Sequence, residues 1–295
     1  MYYKGDVLSR VANKLKREVL RLPGVRVLQG YAHFEALEAH SLRLPPLDPR
    51  DLPALEGLRR TGVHTLRIDS LGFPETGAAM AALDKLVAEL REMPAGGDNQ
   101  PRISAKRLMD FPEVYLWGLN ERLLNLVENY IGLPIWYHGV DVRREVADGK
   151  TSDVRQWHMD AEDRRMFRAI VYLNDVEPGG GPFEYIPRER SAQGARKLHY
   201  GSGFVTDAEM TAAIPPSQWV EVTKKAHSAV FADTCSVFHR AQAARHRDRY
   251  SITFSWTSRT PLKTYPTAPL SDTARAYVTS HTNERQRSAL PGRSS

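Results

Sequence analysis

The chain changes character at Pro134, and that change constrains its fold more than any single motif. Upstream, apolar residues recur at helical spacing; downstream, short alternating or apolar segments follow one another, punctuated by Gly, Pro, Asn and Asp. Val7, Val11, Leu15 and Val19 predict an amphipathic helix from Val7 to Leu20. Four prolines within 40–56 predict an extended connection, and Val63 to Ile68 a short strand. Thr76 is placed to cap a helix reaching about Glu92, with Met80, Leu83, Leu86, Val87 and Leu90 on one face. Residues 94–101 read as a loop. A second helix is expected from about Glu113 to Tyr130, burying Leu116, Leu119, Leu123, Leu126 and Val127 and stopped by Gly132 and Pro134.

Beyond Pro134 the strand candidates are 135–146, 167–174, 182–187, 218–223, 228–232, 235–239 and 249–257. Strands do not alternate with long helices, which disfavours a doubly wound parallel sheet. Helices first and strands afterwards predict a mainly β, α+β architecture: an N-terminal helical layer packed on a β-sandwich or jelly roll. The expected organisation is one domain over 1–270, with a helical part at 1–133 and a β core at 134–260, followed by a polar C-terminal tail at 271–295.

Charge and cysteine content narrow the function classes. The net charge is +6, but both signs are interspersed, and no basic-aromatic stripe points to nucleic acid. The single cysteine, Cys235, excludes an intramolecular disulfide and a cysteine-based zinc site. The first twenty residues lack the apolar core of a secretory signal, and no run matches a membrane span, so the expected compartment is the cytoplasm. The oligomeric state leaves no mark in the sequence.

The chemistry concentrates in Trp157-His158-Met159-Asp160. On an extended chain, residues two apart point the same way, so His158 and Asp160 aim an imidazole and a carboxylate at one point. His239, at the end of the strand-like run before Arg240, is the candidate second imidazole. Two histidines and one carboxylate form a facial triad, which leaves coordination positions open for a co-substrate and O2 on non-haem Fe(II). The segment 249–258 alternates between an apolar face of Tyr250, Ile252, Phe254 and Trp256 and a polar face of Arg249, Ser251, Thr253 and Ser255. Solvent on one side of the strand explains a polar face. The alternative is a wet cavity, in which Arg249 pairs with a carboxylate and Ser251 donates to the same group.

His158-x-Asp160, then His239, then Arg249-x-Ser251 ten residues on, resembles the phytanoyl-CoA dioxygenase-like branch of the 2-oxoglutarate oxygenases. The runs AIVYLNDVEPGGGPFEYIPRERS (169–191) and LRRTGVHTLRI (58–68) are similar to that family's segments, and the resemblance spans roughly residues 55–260. It implies a double-stranded β-helix (a cupin-like jelly roll), and Fe(II) held by His158, Asp160 and His239. It also implies 2-oxoglutarate held by Arg249 and Ser251, with O2 as oxidant and ascorbate as a possible reductant. Asp160 stands where related halogenases have a small residue, which implies hydroxylation, desaturation or ring formation on a small, biosynthetic molecule. The rival expectations are the same chemistry on a protein or nucleic acid, and a non-catalytic cupin-like binding protein. The sequence departs from the family around His239, in DTCSVFHRAQ (233–242), and at PRERS (187–191), with the metal and carboxylate residues themselves kept.

Other residues have two readings each. Tyr172 is a candidate contact to 2-oxoglutarate or a core residue, and Gln156, sharing a face with His158, a candidate contact to metal ligand or co-substrate. Trp157 falls on the opposite, core side. His138, His199 and His246 are weaker ligand candidates. Tyr115 and Trp117 fit a lid or the core. Arg143, Arg144, Arg164, Arg165, Arg188 and Arg190 fit loop surfaces better than an acidic-substrate site. Cys235 shares parity with His239 and reads as a small buried thiol.

Overall fold

A computed structural model of the chain describes residues 23–95, 100–263 and 270–291. The expected helix from Val7 to Leu20 lies outside the described residues. The first described element is a helix, Pro23–Ser41, which the sequence pattern did not single out. The proline-rich connection stays extended only to Asp48. A single 3-10 turn, Pro49–Asp51, then leads into the helix Leu52–Thr61, because proline at the first helical positions favours helix entry rather than opposing it. That helix ends on Gly62, whose φ of 83° caps it and whose carbonyl accepts from Asp233 N at 2.8 Å. A Cβ at Gly62 would collide with Val237, so this turn fits only against the segment that leads to His239.

The helix Thr76–Glu92 forms as expected and buries all five named apolar residues. Its cap position is Glu75, however, and the Thr76 hydroxyl instead accepts from Trp117 Nε1 at 3.1 Å. The expected second helix is two. Pro112–Trp117 ends at Gly118, and Glu121–Ile131 restarts where the Asn120 side chain accepts from Arg122 N and Leu123 N. Tyr115 and Trp117 are buried core residues, not a lid.

Among the described residues, eight strands build two antiparallel sheets. They are β1 (Val63–Arg67), β2 (Ile135–Glu145), β3 (Phe167–Tyr172), β4 (Phe183–Tyr185), β5 (Val220–Val222), β6 (Ser228–Ala232), β7 (His239–Ala241) and β8 (Arg249–Ser258). The larger sheet runs β1-β6-β3-β8-β2 and the smaller β5-β4-β7. Bridges His158↔His239 and Trp157↔Val205 extend the smaller sheet beyond β7. One face of the larger sheet, including Phe167, Ala169, Val171, Phe231, Ile252, Phe254 and Trp256, packs on the helices in one continuous core. Each of the larger side chains among them, fully buried, contributes on the order of 1.5–3 kcal/mol of transfer free energy.

The strand expected at 235–239 begins only at His239. Asp233 turns the chain first: its Oδ1 accepts from Met166 N and Cys235 N, and Ser236 N bonds back to its carbonyl. Strand parity therefore does not apply to Cys235. Two helices, Arg188–Lys197 and Asp207–Ala213, interrupt the β half. The polar tail also folds. Its helices Asp272–Ser280 and Glu284–Ser288 bury Ala274 and Val278, the following Ala289 accepts from Tyr137 N at 2.7 Å, and Arg285 pairs with Glu128 at 2.7 Å. Among the described residues no helix is long and apolar enough to cross a membrane.

Candidate metal centre

The segment at 157–160 is pinned from one side. Trp157 is fully buried, bonded through Nε1 to Asp207 at 3.1 Å, edge-on to Trp219 and covered by Arg240. Its backbone exchanges hydrogen bonds with Val205. Alternation then sends His158 to the other face, where His158 N donates to His239 O at 3.1 Å and His239 N donates to His158 O at 2.9 Å. Two ligand candidates far apart in sequence thus become direct cross-strand neighbours, their rings 4.3 Å apart. Asp160 N bonds to Thr234 O at 2.9 Å, which brings the carboxylate over the pair.

The donor atoms of His158, Asp160 and His239 all lie within 4.8 Å of one another, and no other such group occurs among the described residues. Asp160 Oδ1 is 3.8 Å from His158 Nε2 and 4.0 Å from His239 Nε2. His158 Nδ1 lies 2.9 Å from the Gln156 carbonyl, and His239 Nδ1 3.1 Å from the Val237 carbonyl. A carbonyl only accepts, so these contacts assign the proton of each neutral ring to Nδ1 and leave both Nε2 lone pairs facing Asp160. The donor set therefore fits a divalent ion that takes imidazole and carboxylate.

The electrostatics agree. Burial pushes the His239 imidazole down to about 3, with His158 adding to the effect and Asp160 opposing it. Burial acts to raise the Asp160 carboxyl, but Arg168, His239 and His158 outweigh it and hold the group below the usual carboxylate range. Neutral imidazole and ionised carboxylate are the forms that ligate a metal. A pH dependence follows for the metal-free protein. Below the ordinary histidine value near 6.5 the unfolded chain protonates this side chain while the folded protein resists until about 3, so the unfolded state binds more protons. Stability is fully present above that window and declines as pH falls through it. His138, pushed down to about 4 by burial, acts in the same direction. Thermal melts of the metal-free protein should show Tm falling between pH 7 and pH 5; a flat profile would contradict the buried neutral rings.

The polar face of β8 is buried: Arg249 is 5% exposed, Ser251 1%, Thr253 6% and Ser255 3%. Solvent does not explain it. This face looks away from the helices, together with Arg168, Ile170 and Tyr172 of β3. Arg249 Nη1 donates to the Gly181 carbonyl, Nη2 lies 3.8 Å from Glu145 Oε1, and Nε has no partner. Glu145, its direct neighbour on β2, supplies part of the negative charge that a buried Arg249 requires. Burial acts to raise the Glu145 carboxyl, but Arg249, Arg143 and Arg155 outweigh it and keep it ionised.

Two further candidates have partners within the protein. Tyr172 is fully buried, its hydroxyl donating to Val222 O at 3.0 Å and accepting from Phe183 N at 2.8 Å, so it ties the two sheets together and offers Arg249 only its ring, 5.9 Å away. The Gln156 side chain bonds to the Thr151 carbonyl, and only its backbone carbonyl serves His158. His138 bonds to Thr257 at 2.7 Å and stands outside the triad; His199 and His246 are exposed. Arg143, Arg144 and Arg188 are held in ion pairs with Asp141, Asp248 and Asp233 rather than decorating loops. Sequence reasoning missed Thr234, Arg168 as a partner of Asp160, and Phe204, which is 46% exposed with its ring 5.3 Å from that of His158.

No protein-family model and no curated protein matches the chain. Several solved structures are similar to it. The epimerase SnoN, solved in complex with Fe3+, α-ketoglutarate and nogalamycin RO, is 17% identical, with 76% of this chain and 93% of that one covered and a TM-score of 0.48. EctD from S. alaskensis, solved with 2-oxoglutarate and 5-hydroxyectoine, is 17% identical over 74% of this chain and 81% of that one, at a TM-score of 0.48. The non-haem α-ketoglutarate-dependent carbocyclase SnoK from nogalamycin biosynthesis is 17% identical, covers 77% of this chain and 97% of its own, and has a TM-score of 0.51. With SnoK, this chain shares its fold.

Proposed function

We propose that this chain is a non-haem Fe(II) oxygenase that takes 2-oxoglutarate and O2 as co-substrates and oxidises a small organic molecule. The observation that carries this reading is the convergence of His158, Asp160 and His239, with both Nε2 atoms turned toward one carboxylate oxygen. We read the two sheets, in a fold shared with the SnoK carbocyclase, as a double-stranded β-helix, and the helical layer with both sheets as one catalytic domain.

His158, Asp160 and His239 would hold the iron. Arg249, buried and with Nε unpartnered, would hold the far carboxylate of 2-oxoglutarate, with Ser251 beside it on the same face. When bound, the iron and its co-substrate would supply the oxidant that removes hydrogen from a C–H bond, with release of succinate and CO2. The chain's own task is positional. Phe183, stacked 5.6 Å from the His239 ring, and Phe204 on His158 restrict water around the two imidazoles. Asp160 fills the place that a halogenase leaves small, which favours hydroxylation, desaturation or ring formation.

Succinate release under O2 with Fe(II), 2-oxoglutarate and ascorbate tests the proposal. The expected result is slow release without substrate and faster release with the right small molecule. Iron-loaded protein that yields no succinate above the iron-free control, with any of a broad metabolite set, would remove the oxygenase reading in favour of a binding protein.

A further inference from the structure

We infer that Arg168 is a positioning residue that restricts Asp160 to ligating a metal through one oxygen. The inference rests on the metal-site reading above. Arg168 lies on β3, paired with Ser255 of β8 and Ala232 of β6, so its side chain rises from the middle of the larger sheet. Two of its nitrogens converge on one atom: Nε is 3.0 Å and Nη2 2.9 Å from Asp160 Oδ2. The other oxygen, Oδ1, is the one close to both histidine Nε2 atoms. The carboxylate is thus divided, one oxygen for the guanidinium and one for the metal.

The division is held from both ends. Arg168 Nε also reaches Thr234 Oγ1 at 3.2 Å, and the Thr234 carbonyl accepts from Asp160 N. Thr234 is in turn fixed by its neighbour Asp233, which is fully buried and receives hydrogen bonds from Tyr130 and Met166. Rotation of Asp160 to offer both oxygens to a metal would break a charge-assisted hydrogen bond and an ion pair to Oδ2, among the stronger contacts a carboxylate makes. Remove the guanidinium, and Oδ2 is left in a largely buried site, the side chain 13% exposed, with the metal as its nearest cation. A buried carboxylate oxygen does not stay unpaired without large cost, so it would turn to the metal. One open coordination position would then be lost.

Mn(II) alone is a suitable probe, because each water on it accelerates the relaxation of solvent protons. A facial triad with a one-oxygen carboxylate leaves three positions for water on a six-coordinate ion. We expect about three waters on Mn(II) in the wild-type protein and about two in Arg168→Met, a relaxivity lower by roughly one third. The enhancement should vanish in His158→Ala, which ties it to this site. Two waters in the wild type, or three retained in Arg168→Met, would overturn the proposal; a guanidinium that only neutralises charge would alter affinity and Tm but leave three waters. Arg168→Gln carries the same test if the Met variant fails to fold, and the wild-type count decides the number of ligating oxygens without any variant. A wild-type protein that takes up no Mn(II) overturns the metal-site reading together with this one. Three waters in a protein that forms no succinate would support the one-oxygen ligand while refuting the oxygenase.

Discussion

His239→Ala should reduce Fe(II) affinity by at least about a hundredfold and take succinate formation to background. Loss of groups that merely support metal ligands costs about 10- to 100-fold, and a ligand itself counts for more. The fold should survive, because His239 joins its neighbour through backbone atoms that alanine keeps. Anaerobic Fe(II) titration followed by the succinate assay separates the two effects. The same variant should lose part of the acid sensitivity of the metal-free protein, since a buried neutral imidazole has been removed. Tight Fe(II) binding in His239→Ala would show that the ion sits elsewhere and would end the triad assignment.

Arg249→Ala should weaken 2-oxoglutarate by roughly 30-fold to several thousandfold, the range for truncating one partner of a buried, hydrogen-bonded charge pair (about 2–5 kcal/mol). Fe(II) affinity should stay near wild type, because Arg249 touches none of the three ligands. Arg249→Lys should fall between, keeping charge but losing the planar fork. Glu145 keeps Arg143 and Arg155 beside it, so the variant should remain folded. Co-substrate affinity unchanged in Arg249→Ala, measured by calorimetry on Fe(II)-loaded protein, would refute its role as the anchor of the far carboxylate.

The parts of this picture legible in the sequence are those set by local periodicity. The period-two alternation of β8 separates Arg249 and Ser251 from Tyr250 and Ile252 without any knowledge of partners, and the same rule puts His158 and Asp160 together. The break between the two helices at 118–120 is not legible because Leu119 within it and Leu123 after it are both buried, so the apolar rhythm runs through the interruption. The helices of the tail are not legible because they and the residue after them bury little beyond Ala274, Val278 and Ala289, too few to outweigh a polar composition. Thr206-x-x-Glu209 is a capping box that announces the helix Asp207–Ala213, a readable signal that went unread. Arg168 with Asp160, and Glu145 with Arg249, were beyond reach for another reason. Both are pairings across tertiary register, and a single sequence does not reveal which strand lies beside which.

The reciprocal backbone bonds between His158 and His239 have a consequence for how an ion is captured. The two imidazoles are brought side by side by folding itself, so little chain remains to be ordered when a metal arrives. An ion held there staples together two stretches separated in the chain by β3 to β6, in the manner of a cross-link added after the fact. Chelation would therefore loosen the smaller sheet first and leave the helix-backed sheet, with its continuous apolar core, as the last structure to melt.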